Sequence, residues 1–231
     1  MIYYDFHIHS CLSPCGDMDM TPNNIVNMAA LLGLNAIAVS DHNTVGNAKA
    51  CMEVAKEVGI TVIPGMEVET EEEVHILTLY PTLEAAEEAA KEVYKKLPQI
   101  KNRAEIFGQQ AYMDKDDNIT GYEERLLISS AGMSMNYLFD VVKSAGGIYI
   151  PAHVDRHSYS VLTNLGFIPD DIDIKNIEIS RMTEDVDSFL AARDELQKYN
   201  IYRNSDAHYL QDMREAEAYL DISDVSELFG G

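Results

Sequence analysis

Short β-branched or apolar runs recur along this chain, at residues 2–8, 36–40, 61–64, 74–80, 147–152, 174–179 and 199–203. Helical patterns fill several of the gaps. "TPNNIVNMAALLGLN" offers Thr21 as N-cap, Pro22 at the first helical position and Gly33 near the end. "TVGNAKACMEVAKEVG" repeats the scheme and closes on Gly59, and "SMNYLFDVVKSAGG" and "VDSFLAARDELQKYN" follow it later. Strand, helix and strand at this spacing predict parallel βα units. Seven such strands predict an α/β chain whose sheet closes, or nearly closes, into a barrel. Residues 82–97 read as a solvated helix with acidic residues first and basic residues last, in accord with the helix dipole. "MDKDDNITGYEE" lacks the ordered ligand spacing of a calcium loop and reads as a surface turn.

The length of 231 residues suits one barrel domain spanning 1–231, and 46% apolar residues suffice for its core. No apolar stretch reaches the ~18–20 residues that cross a bilayer, and "MIYYDFHIHS" has no signal-peptide character, so a cytoplasmic protein is expected. The three cysteines, Cys11, Cys15 and Cys51, form no CxxC pair and no disulfide framework. A formal net charge of -22 predicts repulsion from duplex DNA and anionic membranes. Bound divalent ions would reverse that potential locally.

Seven histidines are present, and several sit where an apolar run stops: "YDFHIH", "IAVSDH", "IYIPAH" and "RNSDAH". "VIPGME" adds a glutamate at another strand end. His75 differs, because it opens its strand. In a parallel barrel the C-terminal strand ends converge on one face, so these residues would share a pocket. Gathered carboxylates repel and buried polar groups cost free energy, a penalty that divalent cations remove. Imidazole with carboxylate suits zinc, manganese or iron. His7 and His9 lie two apart on a strand and project to one face, where both could reach one ion.

The succession "DFHIHS", "AVSDHNT", "PGMEVE" with "VHIL", "GGIYIPAHVDR" and "NSDAH" resembles the PHP (polymerase and histidinol phosphatase) superfamily, from residue 5 to about residue 210. The resemblance implies a distorted (β/α)7 TIM-like barrel with up to three divalent ions (Mn, Fe or Zn) at the C-terminal face and, in most members, phosphoester hydrolysis. It assigns His7 and His9 to a first metal with Glu67 and Asp206. Glu67 would bridge to a second metal held by His75 and His153, and His42 and His208 would hold a third. That third site takes one more ligand from the loop after HxH, for which Asp17 is the best match and Cys15 and Asp19 remain open. Asp41 is expected behind the ligands, orienting an imidazole or a water. Arg156 is either a phosphate grip or a surface arginine paired with Asp155, and Arg181 is a weaker phosphate candidate. His157 falls outside the pattern.

The expected chemistry is phosphoester hydrolysis by water that the ions activate, with Glu67, Asp206 and His208 closest to the reaction. GxSxG and P-loop patterns are absent, which excludes a serine hydrolase of that kind and a P-loop motor. The alternatives are an amidohydrolase-like enzyme cleaving a C–N bond and a metal-binding barrel without turnover. An acidic chain with no contiguous aromatic-basic stretch predicts a small phosphorylated metabolite or nucleotide as partner, and makes long nucleic acid and membranes unexpected.

Overall fold

The computed structural model describes residues 1–230. Its strands are β1 (Ile2–Ile8), β2 (Ala36–Val39), β3 (Thr61–Glu69), β4 (His75–Leu79), β5 (Ala111–Met113), β6 (Ile119–Tyr122), β7 (Ile148–Pro151), β8 (Asn176–Glu178), β9 (Asn200–Tyr202) and β10 (Tyr219–Leu220). The helices are α1 (Pro22–Leu31), α2 (Ala48–Val58), α3 (Leu83–Lys96), α4 (Ala104–Phe107), α5 (Met135–Ser144), α6 (Val161–Asn164) and α7 (Val186–Ala191). Thr21, Thr82 and Ser134 cap α1, α3 and α5 by accepting a backbone N–H from the first turn.

Six strands form one sheet in the order β10-β1-β2-β3-β4-β7. Pairing is parallel from β1 through β3, whereas β4 runs antiparallel to both β3 and β7, and β10 runs antiparallel to β1. The all-parallel seven-strand expectation is corrected accordingly. The cause is the β3–β4 connection: residues 70–74 are too few for a crossover, which takes a dozen or more, so the chain turns back on itself. The seven expected strands all form, and β5, β6 and β10 add to them. The 114–118 segment is the turn of the β5–β6 hairpin, where Asp114 accepts the Asp116 and Asn118 N–H groups.

β3 changes partner midway. Up to Pro64 it pairs with β2; from Gly65 to Glu69 it pairs with β4. Gly65 is required there, because a Cβ would sit 2.8 Å from the Thr78 carbonyl oxygen. The two-strand sheet β8–β9 lies against the open margins of the large one. Val154, just past β7, donates its N–H to the Glu178 carbonyl (2.8 Å), and Ala207, past β9, bridges Ile8 in parallel. The sheet is thereby curled into a partial barrel.

Tyr4, Phe6, Ala38, Ile63, Leu77, Ile150 and Tyr202 from six strands meet in a buried apolar cluster. Helices α1 and α2 lay Ile25, Val26, Cys51 and Val54 against Ile37 and Val39. Helices α3 and α5 lay Ala89, Val93, Leu138 and Val142 into the cluster that holds Met66, Val68 and Ile76. Among the described residues no helix is long and apolar enough to cross a membrane.

Candidate metal centre

His7 lies in β1 and His9 just beyond it, both fully buried. Past the end of β2, an isolated parallel bridge sets His42 beside Glu67, with the Asn43 N–H on the Glu67 carbonyl (2.8 Å). His75 opens β4 opposite Glu69, so the antiparallel turn brings the start of this strand to the same end as the C-terminal end of β3. His153 follows β7, and Asp206 and His208 flank the Ala207 bridge to β1. Residues as far apart in sequence as His7 and His208 thus meet at one end of the sheet.

Glu67 is the hub. Its Oε1 lies 2.9 Å from His75 Nδ1, 3.2 Å from His153 Nε2 and 3.3 Å from His7 Nε2. Its Oε2 lies 3.2 Å from His42 Nδ1 and 3.4 Å from His9 Nε2. Asp206 Oδ1 is 3.1 Å from His9 Nε2 and 3.3 Å from His7 Nε2. The Nε2 atoms of His7 and His9 face one another at 3.3 Å. His153 (φ 30°), Asp206 (φ 53°) and Asn43 (φ 55°) occupy left-handed backbone, which costs of order 1–3 kcal/mol at each non-glycine residue and is held only where surrounding structure enforces it.

The donor atoms fall into three groups, each within 4.8 Å: His7, His9, Glu67 and Asp206; His42, Glu67 and His75; and His9, Cys15, His42 and His208. His42 Nδ1, His75 Nε2 and His153 Nδ1 are buried without a hydrogen bond. Buried polar atoms left unpaired are costly, and an imidazole–carboxylate set of this kind fits borderline divalent ions. The residues present therefore fit a multinuclear metal centre.

Two carboxylates behind the cluster set the imidazole tautomers. Glu178, 1% exposed, accepts from His7 Nδ1 at 3.1 Å with each oxygen, from the His153 N–H (2.8 Å) and from Asn204 Nδ2 (2.6 Å). Asp41 accepts from the Ser10 N–H, Ser10 Oγ and Ser13 Oγ, and Ser13 Oγ meets His9 Nδ1 at 2.9 Å. With Nδ1 protonated in each case, the Nε2 lone pairs of His7 and His9 face the cluster. Sequence reading missed Glu178 and Ser13. An acidic residue inside the apolar run "IKNIEIS" was the available signal for Glu178, and Ser13 had none.

Arg156 Nη1 lies 2.6 Å from Asp206 Oδ2, while Asp155 is taken up by Ser180 and Thr183. Arg156 therefore faces the centre rather than Asp155. Arg181 does not reach the donor groups: its Nη1 and Nη2 are buried without hydrogen bonds, and its charge acts on buried Asp5. Asp17 is likewise outside them. Its Oδ1 accepts the Asp19 N–H (2.8 Å), and its own N–H is on the His208 carbonyl. Cys15, one of the open alternatives, is the loop residue that joins the histidines.

Burial disfavours charge on His7, but Glu178, Asp206 and Glu67 outweigh it and raise its pKa well above the ordinary value. His75 rises to about 9, burial again being outweighed by Glu67. The surrounding histidines hold Glu67 and Asp206 low against the opposing effect of burial. His208 falls to about 4 through burial and the neighbouring His9. His7, His9 and His75 thus favour the protonated form beside Glu67 and Asp206, whereas burial holds His42 and His208 neutral, and cation binding must displace protons from the first three.

The PHP domain family model matches residues 5–165. The chain belongs to the PHP family. Seventy-nine residues are 38% identical to the 5′-3′ exoribonuclease of Haemophilus influenzae, over 33% of this chain and 28% of that protein. The lesion-specific endonuclease Q of Pyrococcus furiosus superposes with a TM-score of 0.69 at 18% identity, over 99% of this chain and 55% of that one. An endonuclease Q solved with a 27-mer duplex bearing an abasic lesion gives 0.64 at 19% identity, over 90% and 49%. An amidohydrolase from Chromobacterium violaceum gives 0.63 at 19% identity, over 95% and 92%. This PHP chain thus spans about half of the endonucleases and less of the exoribonuclease.

These similarities correct the exclusion of long nucleic acid. A PHP-like fold carries duplex DNA in endonuclease Q, so net charge does not settle the partner. The physical reason is that potential is local: divalent ions bound at the centre would invert it there. Lys49, Lys91, Lys95, Tyr94 and Tyr112, scattered in sequence, line one groove of about 600 Å³ together with Asn43, Glu87 and Glu123.

Proposed function

We propose that this chain is a metal-dependent phosphoesterase whose substrates include the phosphoesters of nucleotides and nucleic-acid strands. The convergence of His7, His9, His42, His75 and His153 on one buried carboxylate, Glu67, with Asp206 against His7 and His9, supports this reading most strongly. His7, His9, Glu67 and Asp206 would hold one divalent ion, and Glu67 with His75 and His153 a second. Divalent ions there supply Lewis acidity that acidifies water and offsets charge on phosphoryl oxygens.

The chain's own groups do the rest. Glu178 and the Asp41–Ser13 pair fix His7 and His9 with Nε2 inward. Asp206 turns one oxygen to the histidines and the other to Arg156, so a phosphoryl group entering here would take over the Arg156 guanidinium as a bidentate partner. His208, with a quarter of its side chain exposed, and Asp206 stand between the buried centre and solvent, where a leaving oxygen would collect its proton.

C–N bond hydrolysis is the competing reading, favoured by the likeness to the amidohydrolase. Among the described residues no lysine pairs with Glu67 or Asp206, whose charged partners are histidines and Arg156, so a bridging lysine has no candidate there. The two readings separate in one panel on manganese- or zinc-loaded protein: a phosphomonoester, a phosphodiester, a 5′-phosphorylated oligonucleotide, an abasic duplex, and amide and lactone substrates. Turnover confined to phosphoesters is expected. Turnover of the amides alone would transfer the chain to the competing class.

A further inference from the structure

The third donor group differs in kind from the other two. It contains no carboxylate: His9, His42 and His208 are joined by the sulfur of Cys15. Their rings are close, with His9 4.3 Å from His208 and 4.6 Å from His42 between centroids. His42 is 3% exposed and belongs to both this group and the one with Glu67 and His75; its Nδ1, 3.2 Å from Glu67 Oε2, makes no aligned hydrogen bond. The alternative carboxylate is engaged elsewhere, since Asp17 closes a turn onto Asp19.

The loop holds Cys15 in place from both sides. A Cβ at Gly16 would lie 2.3 Å from the Ser10 carbonyl oxygen, and one at Gly108 (φ 98°) would lie 2.1 Å from the Pro14 carbonyl oxygen. Only glycine permits either approach, so residues 14 and 16 are pressed against fixed backbone. The Ser13 and Gly16 N–H groups close two successive turns, and the Asp17 N–H anchors the loop to the His208 carbonyl. The cysteine is thus presented by a rigid loop tied to the segment that carries His208.

We propose that Cys15 is a thiolate ligand, completing with His9, His42 and His208 a sulfur–nitrogen site that takes zinc or ferrous iron in preference to magnesium or manganese. A thiolate with three imidazoles is a four-donor set of the kind that zinc occupies, and sulfur discriminates against hard cations. The inference rests on the metal-centre reading above and refines it. One of the bound ions would differ in identity from its neighbours, whose donor groups include carboxylate.

Cobalt(II) is the probe, because a thiolate–cobalt bond gives a charge-transfer absorption that imidazole and carboxylate do not. Chelator-stripped full-length protein is titrated with cobalt in wild type, Cys15→Ser and Asp17→Asn. The wild type and Asp17→Asn should show the band; Cys15→Ser should lose it and bind about one cobalt fewer while keeping the rest. A wild type that binds cobalt without the band, or a Cys15→Ser protein that retains it, overturns the proposal and leaves the metal centre standing. A wild type that binds no cobalt removes the metal centre itself. A second measurement needs no variant. Cys11 and Cys51 are fully buried, so a disulfide reagent should modify native protein at Cys15, and zinc should suppress that reaction at least tenfold. Modification at an unchanged rate would overturn the proposal even if Cys15→Ser failed to fold.

Discussion

Glu178 touches two elements of the centre at once, the ring of His7 and the backbone of His153, yet it is not among the grouped donors. Glu178→Gln keeps the shape but loses the charge that fixes the His7 tautomer. Metal affinity should fall roughly 10–100-fold, as for other partners of ligating histidines, with unfolding temperature of the metal-free protein read as a control. Titration with a fluorescent metal competitor checks it. At Arg156, replacement by alanine should raise KM roughly 10–100-fold on a phosphoester, about 1.5–3 kcal/mol for a charge-assisted hydrogen bond, and leave metal stoichiometry unchanged. Steady-state kinetics decide it, and unaltered kinetics would return Arg156 to a purely local pairing with Asp206. The paired histidines were legible because their two-residue spacing and strand-end position are local properties. Glu178 was not, since it lies 171 residues from His7 and nothing in sequence links them. The choice of Asp17 in the opening loop followed from cation hardness. The turns that direct Cys15 to the histidines and Asp17 to Asp19 come from backbone contacts at Gly16 and Gly108 with Ser10 and Pro14, and the Gly108–Pro14 contact is a tertiary fact.

Every strand read from apolar runs is present, because β-branched residues bounded by turn residues mark strands whatever their direction. Direction was misread at β4. Pro64 and Gly65 looked like the end of β3, whereas the strand passes through them and changes partner there, leaving a connection too short to return parallel. That reversal is what gives His75 access to Glu67, so the misread element positions part of the site. Gly65→Ala should force β3 and β4 apart, given the 2.8 Å approach to Thr78. The expected loss is roughly 1–3 kcal/mol of stability, together with weaker metal binding through the Glu67–His75 pair. Chemical denaturation and metal titration of the same sample test both effects, and full stability would show that the two strands can shift at no cost.

At the scale of the molecule, a net charge of -22 pointed away from nucleic acid, while the fold is shared with an endonuclease that takes duplex DNA. Composition averages over the surface, whereas substrate meets one end of one sheet. The same concentration of charge predicts an unusual response to pH. In metal-free protein His75 is raised to about 9 from an ordinary 6.5, so its stabilisation is complete below 6.5 and lost as pH climbs through 9. Glu67 and Asp206 are depressed, so theirs is present above their ordinary values of 4.5 and 3.8 and is lost as pH falls below them. The metal-free protein should therefore lose thermal stability between pH 6.5 and 9. The increment that saturating zinc or manganese adds should grow over the same interval, because the ions compete with protons for the same nitrogens. Thermal unfolding with and without ions, across that interval, reads both slopes.

The most direct test of the metal centre as the source of activity is hydrolysis of a simple phosphodiester by chelator-stripped protein during titration with manganese. The predicted result is no turnover without ions, a rise to saturation at more than one ion per chain, and none at any manganese level in Glu67→Gln. Turnover that survives chelation, or that persists in Glu67→Gln, would contradict it.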